Sequence, residues 1–285
     1  MTNRELLNDA CERLGGGGVE NAAFDSAELM GKALRLDCRS GEFKQALEMQ
    51  AENETKQRLT QLVERRLGGE PLQYIIGEWE FYGLPFFVGE GVLIPRQDTE
   101  TLVELAIEGF KGRKKLRVAD LCAGTGCIGL ALEKHLDIGE LTLVEKSEEA
   151  VKYLEKNLVR NSSGGRIVKG DVLAEETAEA LGEADLIVCN PPYLTAQDMA
   201  QLQKEVSFEP ESALFGGEDG LDFYRAIVRI WKRALADGGE MYFEIGASQE
   251  DEVMEMLIQH GFTRVRCKKD PCGIVRVVHG VLKKD

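Results

Sequence analysis

The chain has 285 residues, more than one ordinary small domain needs, and its 43% apolar and 30% charged composition is that of a globular protein. A formal net charge of −15 argues against phosphate-backbone binding as the main activity, since proteins that grip nucleic acid carry a basic face. No run of 18 apolar residues occurs, and the amphipathic start "MTNRELLNDACERL" lacks a signal-peptide core, so no membrane span and a cytoplasmic location are expected.

The first seventy residues read as helices. Leu6, Leu7, Ala10, Cys11 and Leu14 share one helical face, which Gly15 to Gly18 should stop. A second helix runs through "SAELMGKALRL", with Ser26 as its expected cap. A third carries the stripe Leu59, Leu62, Val63 and Leu67 and ends at Gly68-Gly69 and Pro71. From "YIIGEWEFYGLPFFVGEGVLI" the pattern becomes aromatic and β-branched, broken by Gly and Pro, as a hairpin linking two domains would be. A helix opened by Asp98 or Thr99 follows, and then strands (116–120, 141–145, 166–170, 185–190, 239–246) alternate with helices (127–136, 147–160, about 174–182, 220–236). Such alternation calls for a mostly parallel sheet with helices on both faces. "FTRVRCKK" and "GIVRVVHGVL", joined by Asp-Pro-Cys-Gly, should close the sheet as an antiparallel hairpin. The expected division is a helical bundle over 1–72, a linking hairpin over 73–95 and an α/β domain over 96–285.

Seven cysteines in a chain without an export signal read as reduced thiols. Two C-x4-C pairs, Cys122/Cys127 and Cys267/Cys272, could in principle hold zinc, but the first lies in a loop with a better use. The histidines His135, His260 and His279 form no ligand spacing, so no metal is expected.

That loop is "VADLCAGTGCIGL", between the first strand of the sheet and a helix. Gly124, Gly126 and Gly129 satisfy G-x-G-x-x-G, and Glu145 ends the next strand. These facts alone also suit a dinucleotide. Asp120, however, ends the strand just before the loop, where a charge would suit a cationic ligand better than a pyrophosphate. S-adenosylmethionine, with a sulfonium, an amino group and no phosphate, is such a ligand. "DLCAGTG" resembles the D-x-G-x-G-x-G loop of class I methyltransferases, with Cys122 in place of the first glycine and hence a negative φ expected there. In that reading Asp120, Cys122, Ala123, Gly124, Thr125 and Gly126 form the cofactor loop. Glu145 takes the ribose hydroxyls, Asp171 takes the adenine amino group, and Val172 lies against the ring.

"DLIVCNPPYL" (185–194) ends a core strand in a rigid, donor-free corner. Ligands bind beyond the carboxyl ends of strands where the sheet order reverses, so Asn190-Pro191-Pro192-Tyr193 should lie beside the transferred methyl. The corner suits a planar –NH2 with a delocalised lone pair. The Asn190 side-chain oxygen and the Pro191 carbonyl accept its two hydrogens, Pro192 stiffens the turn, and Tyr193 can lay its ring on the acceptor. Such a corner serves adenine N6, guanine N2 and the glutamine amide alike.

Over essentially its full length the chain resembles the release-factor glutamine methyltransferase family (PrmC, also called HemK). The matching stretches are "GEPLQYIIGEWEFYGLPFFV", "LIPRQDTETLVE", "DLCAGTGCIGLAL", "NPPY" and "FEPESALFGGEDGL". The resemblance implies a class I, Rossmann-like fold, with a mostly parallel seven-stranded sheet and a C-terminal antiparallel hairpin. It implies methyl transfer from S-adenosylmethionine to the glutamine N5 of the Gly-Gly-Gln loop in class I peptide chain release factors, with Asn190 to Tyr193 holding that glutamine. The helical bundle and the hairpin would help to dock the release factor, in translation termination. Gln97 stands where the family commonly has Pro. Arg96, Asp98 and Glu100 are expected to form ion pairs at a helix start, with shaping of the glutamine pocket as the other possibility. The rival readings are a glutamine methyltransferase of a ribosomal protein, a DNA adenine methyltransferase, an NAD-dependent oxidoreductase, and a non-catalytic binding module. The DNA enzyme would need a basic cleft, and the oxidoreductase leaves Asn-Pro-Pro-Tyr unexplained.

Overall fold

The computed structural model describes residues 1–284; Asp285, the last residue of the expected α/β domain, lies outside them. It divides into two compact units. One comprises Met1–Glu78 with Gln203–Phe208, and the other comprises Trp79–Leu202 with the described residues from Glu209 onward.

The first unit is helical: α1 (Asn3–Gly16), α2 (Ala22–Leu34), α3 (Gly41–Leu47), α4 (Asn53–Leu67) and α5 (Leu72–Ile76). Thr2 and Glu5 close a reciprocal capping box on α1, which runs through Gly15 and Gly16 and stops at Gly17. Ser26 does not cap α2, which begins at Ala22. Ser26 is buried in the helix interior, and its hydroxyl donates back to the Ala23 carbonyl at 3.0 Å. The reason lies forty residues away. Arg66 on α4, itself 6% exposed, donates to Asp25 at 2.6 Å and also pairs with Glu205, so Asp25 is drawn inside the helix beside Ser26. The short helices α3, capped by Ser40, and α5 lack a long enough stripe to be read from the sequence. The strand pattern expected from Tyr74 starts only at Glu78, after Gly77 ends α5 in the left-handed region.

The hairpin β1 (Glu78–Phe81) and β2 (Leu84–Phe87), which apart from Glu78 belongs to the second unit, is followed by α6 (Glu100–Phe110). There follow β3 (Leu116–Leu121), α7 (Cys127–His135), β4 (Ile138–Glu145), α8 (Glu148–Arg160), β5 (Arg166–Lys169), α9 (Glu175–Glu179) and β6 (Ala184–Cys189). The chain closes with α10 (Ala196–Met199), α11 (Asp222–Trp231), β7 (Leu235–Glu244), α12 (Glu250–Gln259), β8 (Phe262–Lys269) and β9 (Val275–Leu282). The sheet has seven strands in the order β5-β4-β3-β6-β7-β9-β8, parallel except for β9, which pairs antiparallel with β7 and β8.

Alternation along the strands builds the two core layers. Val118, Leu143, Leu186, Val188 and Tyr242 face one layer, with Phe81 and Phe86 of the hairpin. Ala119, Leu121, Val144, Ile187, Cys189 and Phe243 face the other, with Trp231 and Tyr224 of α11. Because both faces are covered, the central strands read as near-continuous apolar runs. The order reverses between β3 and β6, whose ends pair Leu121 with Cys189. A crevice at the carboxyl ends of these strands is the natural ligand position.

Candidate active site

Beyond Leu121 the backbone turns sharply before α7. Cys122, Gly124 and Gly126 all adopt left-handed φ values, +57°, +54° and +81°. The negative φ expected at Cys122 is therefore corrected. The loop keeps the turn a glycine would make, because neighbouring bonds pin it: Ala123 N–H donates to Val144 O at 3.0 Å and Gly124 N–H to Glu145 Oε2 at 2.8 Å. The cysteine bears a backbone strain of about 1 kcal/mol or more. Gly126 is required by space as well, since a Cβ there would fall 2.5 Å from Leu154 Cδ1.

The loop walls a cavity of about 820 Å³, of the size that takes a small-molecule ligand. Cys122, Ala123, Gly124 and Thr125 line it, as do Glu145, Asp171, Val172 and Asn190. Ser147 N–H donates to Glu145 Oε1 at 2.7 Å, so both carboxylate oxygens are oriented by backbone before any ligand arrives. Asp171 accepts from Leu173 N–H at 2.9 Å and from Lys146 Nζ at 2.8 Å. Burial pushes its carboxyl up, but the ammonium and the N–H outweigh that and leave it below the usual carboxylate range. Trp231 Nε1 donates to Val172 O at 2.8 Å and fixes the residue whose side chain walls the cavity.

Asp120 departs from its expected role. It is fully buried and absent from the cavity wall, and its Oδ2 accepts the Gly129 N–H at 2.8 Å while Oδ1 has no partner. Burial raises its carboxyl to about 8, so near neutrality it is largely a neutral acid. It holds the start of α7 against β3 and offers no charge to a cation. Gly126 also lies behind the wall, as backbone support for the turn.

The corner after β6 divides in the same way. Asn190 and Pro192 line the cavity, whereas Pro191 and Tyr193 do not. Asn190 Nδ2 donates to Thr99 Oγ1 at 3.4 Å, and no described residue donates to Asn190 Oδ1 or to the Pro191 carbonyl. Tyr193 packs against the core, and its Cδ2 would stand 3.0 Å from a Cβ on Gly246. Burial foremost, then the nearby Glu244, raises its phenol above the usual range, so it stays neutral.

A second segment clamps this corner. Leu194 N–H donates to Leu214 O at 2.8 Å, and Gly216 N–H returns to Leu194 O at 2.9 Å. Gln249 Nε2 reaches Tyr193 O at 3.2 Å and Gly220 O at 3.3 Å, while its Oε1 accepts from Gly246 N–H at 2.9 Å. A Cβ on Gly216 would fall 2.6 Å from Pro192 O, and one on Gly220 would fall 2.3 Å from Tyr193 O. Both glycines are there because backbone packs on backbone.

Arg96 lines the cavity and pairs with Glu209, a buried carboxylate that also accepts Ile94 N–H at 3.0 Å. Asp98 pairs with Arg276 at 2.9 Å, and Glu100 accepts from Tyr82 N–H at 2.9 Å. All three residues are engaged in structural pairings, and Arg96 belongs to the cavity wall as well. Cys127 is buried and Cys267 and Cys272 are exposed; among the described residues no three His, Cys, Asp or Glu side chains come together as metal ligands.

A family model described as the methyltransferase small domain matches residues 97–211, and one described as the PrmC N-terminal domain matches residues 5–77. A release factor glutamine methyltransferase of Geobacter sulfurreducens is 39% identical over 282 residues, covering 98% of this chain and 96% of that one. The chain belongs to the release factor glutamine methyltransferase family. The relative of that name from Clostridium botulinum is 34% identical over 281 residues, 98% of each chain. A crystal structure of ribosomal protein L11 methylase from Lactobacillus delbrueckii subsp. bulgaricus shares the fold. Its TM-score is 0.50 at 20% identity, over 68% of this chain and 82% of that one. The sheet with its covering helices is accordingly the class I, Rossmann-like methyltransferase fold.

In this member of the release factor glutamine methyltransferase family, Glu209, Gln249 and the glycines 216 and 220 were not singled out from the sequence, and Thr99 was read only as a possible helix start. They come from segments 20 to 150 residues away from the motifs they support, roughly, and no local periodicity marks them. Gly216 and Gly220, within "FGGEDG", were the ones with a signal, since paired glycines outside a helix announce a special backbone.

Proposed function

We infer that the protein transfers a methyl group from S-adenosylmethionine to the side-chain N5 of the glutamine in the Gly-Gly-Gln loop of class I release factors. One observation carries the reading. Two acceptors without a donor, Asn190 Oδ1 and the Pro191 carbonyl, stand at the end of β6, and β6 pairs with the strand that opens the cofactor loop. The cavity fits the cofactor by its chemistry: oriented carboxylates at Glu145 and Asp171 for hydroxyl and amino donors, and Val172 for a planar base. When bound, S-adenosylmethionine supplies an electrophilic methyl on its sulfonium.

An amide nitrogen is a poor nucleophile because its lone pair is delocalised, and no base is needed if geometry does the work. Asn190 Oδ1 and Pro191 O each accept one of its hydrogens, which holds the nitrogen at a single position and orientation. As the new bond forms, positive charge develops on nitrogen and both hydrogen bonds strengthen. The prolines bring no N–H to compete. Glu145 and the turn at Cys122–Gly126 keep the other reactant in register. Within this reading residues 1–72 and the hairpin of 73–95 dock the release factor, and residues 96–285 carry the transfer. The substrate places the activity in the cytoplasm; among the described residues no helix is long and apolar enough to cross a membrane.

Mass spectrometry of a release factor incubated with the protein and S-adenosylmethionine is the direct test. We expect one methyl on the Gly-Gly-Gln glutamine, and a loss of about 10²-fold or more in rate for Asn190→Ala with cofactor affinity kept. Absence of that methyl despite cofactor binding would overturn the reading.

A further inference from the structure

An asparagine amide has two ends of similar shape and opposite character. Only its oxygen can accept from a substrate –NH2; its own –NH2 would repel one. Something must therefore hold Asn190 the right way round.

The structure provides a chain of groups behind it. Asn190 Nδ2 donates to Thr99 Oγ1 at 3.4 Å, and Thr99 is 2% exposed. Cys189 pairs with Phe243 in the sheet, so the next residues, Asn190 and Glu244, stand side by side, and the Thr99 hydroxyl favours the ionised form of the Glu244 carboxylate. Glu244, at the end of β7, is likewise 2% exposed, and its Oε2 has no partner. A hydroxyl has one hydrogen. Once that hydrogen is given to a carboxylate, only lone pairs remain for Asn190, and they take its –NH2.

We propose that Thr99 and Glu244 are positioning residues that set the polarity of the Asn190 amide, turning its oxygen toward the substrate nitrogen; the proposal rests on the amide-methylation reading above. The sense of the chain depends on the charge of Glu244. If the carboxyl is protonated, its own O–H donates to Thr99, the threonine hydrogen swings to Asn190, and the flipped amide becomes equally good.

Burial raises Glu244 to about 7, against the opposing pull of Thr99, Arg276 and Arg96, while Asp98 adds to the rise. Arg96 and Asp98 precede α6, and Arg276 lies on β9. The other ionisable neighbours are Cys189 on β6, Tyr193 at the corner, Tyr224 on α11 and Cys127 on α7. All four are held neutral by burial. Asp120 on β3, raised to about 8, is the other buried carboxyl that changes charge in this range, and Glu244→Gln separates the two because it removes only the transition near 7. Tyr224 directs its hydroxyl to the Glu244 backbone carbonyl at 3.0 Å, so it leaves the carboxylate to Thr99.

The test measures kcat and KM for release-factor methylation between pH 5.5 and pH 9 (about the range on either side of the Glu244 transition), together with cofactor affinity. The full-length protein is compared with Glu244→Gln, Thr99→Val and Thr99→Ser. We expect wild-type kcat to fall to a lower plateau as the pH drops through about 7, because the ionised form is the one that orders the amide. Glu244→Gln should lower kcat about tenfold or more at pH 8, with cofactor affinity within about twofold and no acid limb near 7. Thr99→Val should lose kcat similarly, and Thr99→Ser, which keeps the hydroxyl, should recover most of it. Wild-type kcat and an unchanged acid limb in Glu244→Gln would overturn the proposal, as would Thr99→Val equal to Thr99→Ser if the glutamine variant does not fold. Failure of the wild type to methylate the release factor at all would instead remove the reading on which it rests.

Discussion

Cys122 is where the sequence and the backbone disagree most sharply. From residue type alone a cysteine should avoid φ of +57°, yet the loop holds it there through the bonds of Ala123 and Gly124 to the end of β4. Cys122→Gly should relieve the strain. The gain would be partly offset by the larger entropy of glycine in the unfolded chain, leaving about 0.5–1 kcal/mol, or a few degrees in Tm, with methyl transfer retained. A lower Tm would show that the thiol packs better than the strain costs. Asp120 teaches the converse. Its position before a glycine loop was legible, but its charge state was not, because burial on the far side of β3 makes the carboxyl neutral. Residue type and spacing located Glu145, Asp171 and Asn190 on the cavity wall; they said nothing of Thr99, whose partners Asn190 and Glu244 lie 91 and 145 positions further along the chain (190 − 99 and 244 − 99).

At the scale of elements, alternation of strand and helix was enough to foresee the parallel sheet and its closing hairpin, because both faces of each central strand are apolar and each helix carries one stripe. What alternation does not contain is the backbone clamp on the corner. The segment 214–220 presses on Pro192 and Tyr193 without side chains, so its signature is only the absence of Cβ atoms at Gly216 and Gly220. Gly216→Ala should displace the corner, since its Cβ would meet a carbonyl 2.6 Å away and backbone cannot yield cheaply. Steady-state kinetics should show at least about a tenfold lower kcat, consistent with the cost of misplacing a reacting pair, with cofactor affinity nearly unchanged. Equal weakening of cofactor binding would mean the loop and the corner shift as one piece. The short helices α3 and α5 escaped notice for a plainer reason: five to seven residues hold too little periodicity to be told from a turn.

For the whole molecule, the helical unit depends on Arg66, which is buried between Asp25 and Glu205. Asp25 is raised by its burial and pulled back by the guanidinium, so removing Arg66 leaves a buried carboxyl with no cation. Arg66→Ala should destabilise the helical unit by about 3–5 kcal/mol in calorimetry, whereas cofactor affinity, which depends on residues of the other unit, should hold. A small change in Tm would mean that water replaces the lost pair. That dependence was invisible in the sequence because Glu205 belongs to the stretch after the corner, far from the helices it completes.

The same arrangement has a consequence for the order in which the protein is made. The chain passes from the helical unit to the other at residues 78 and 79, returns at 202 and 203, and leaves again at 208 and 209. A nascent chain that has delivered all five helices already holds the Arg66–Asp25 pair but lacks the second carboxylate on that guanidinium, and it must extend through most of the sheet before Glu205 arrives. The bundle therefore waits, one ion pair short, until the segment just after the Asn190–Tyr193 corner has been synthesised.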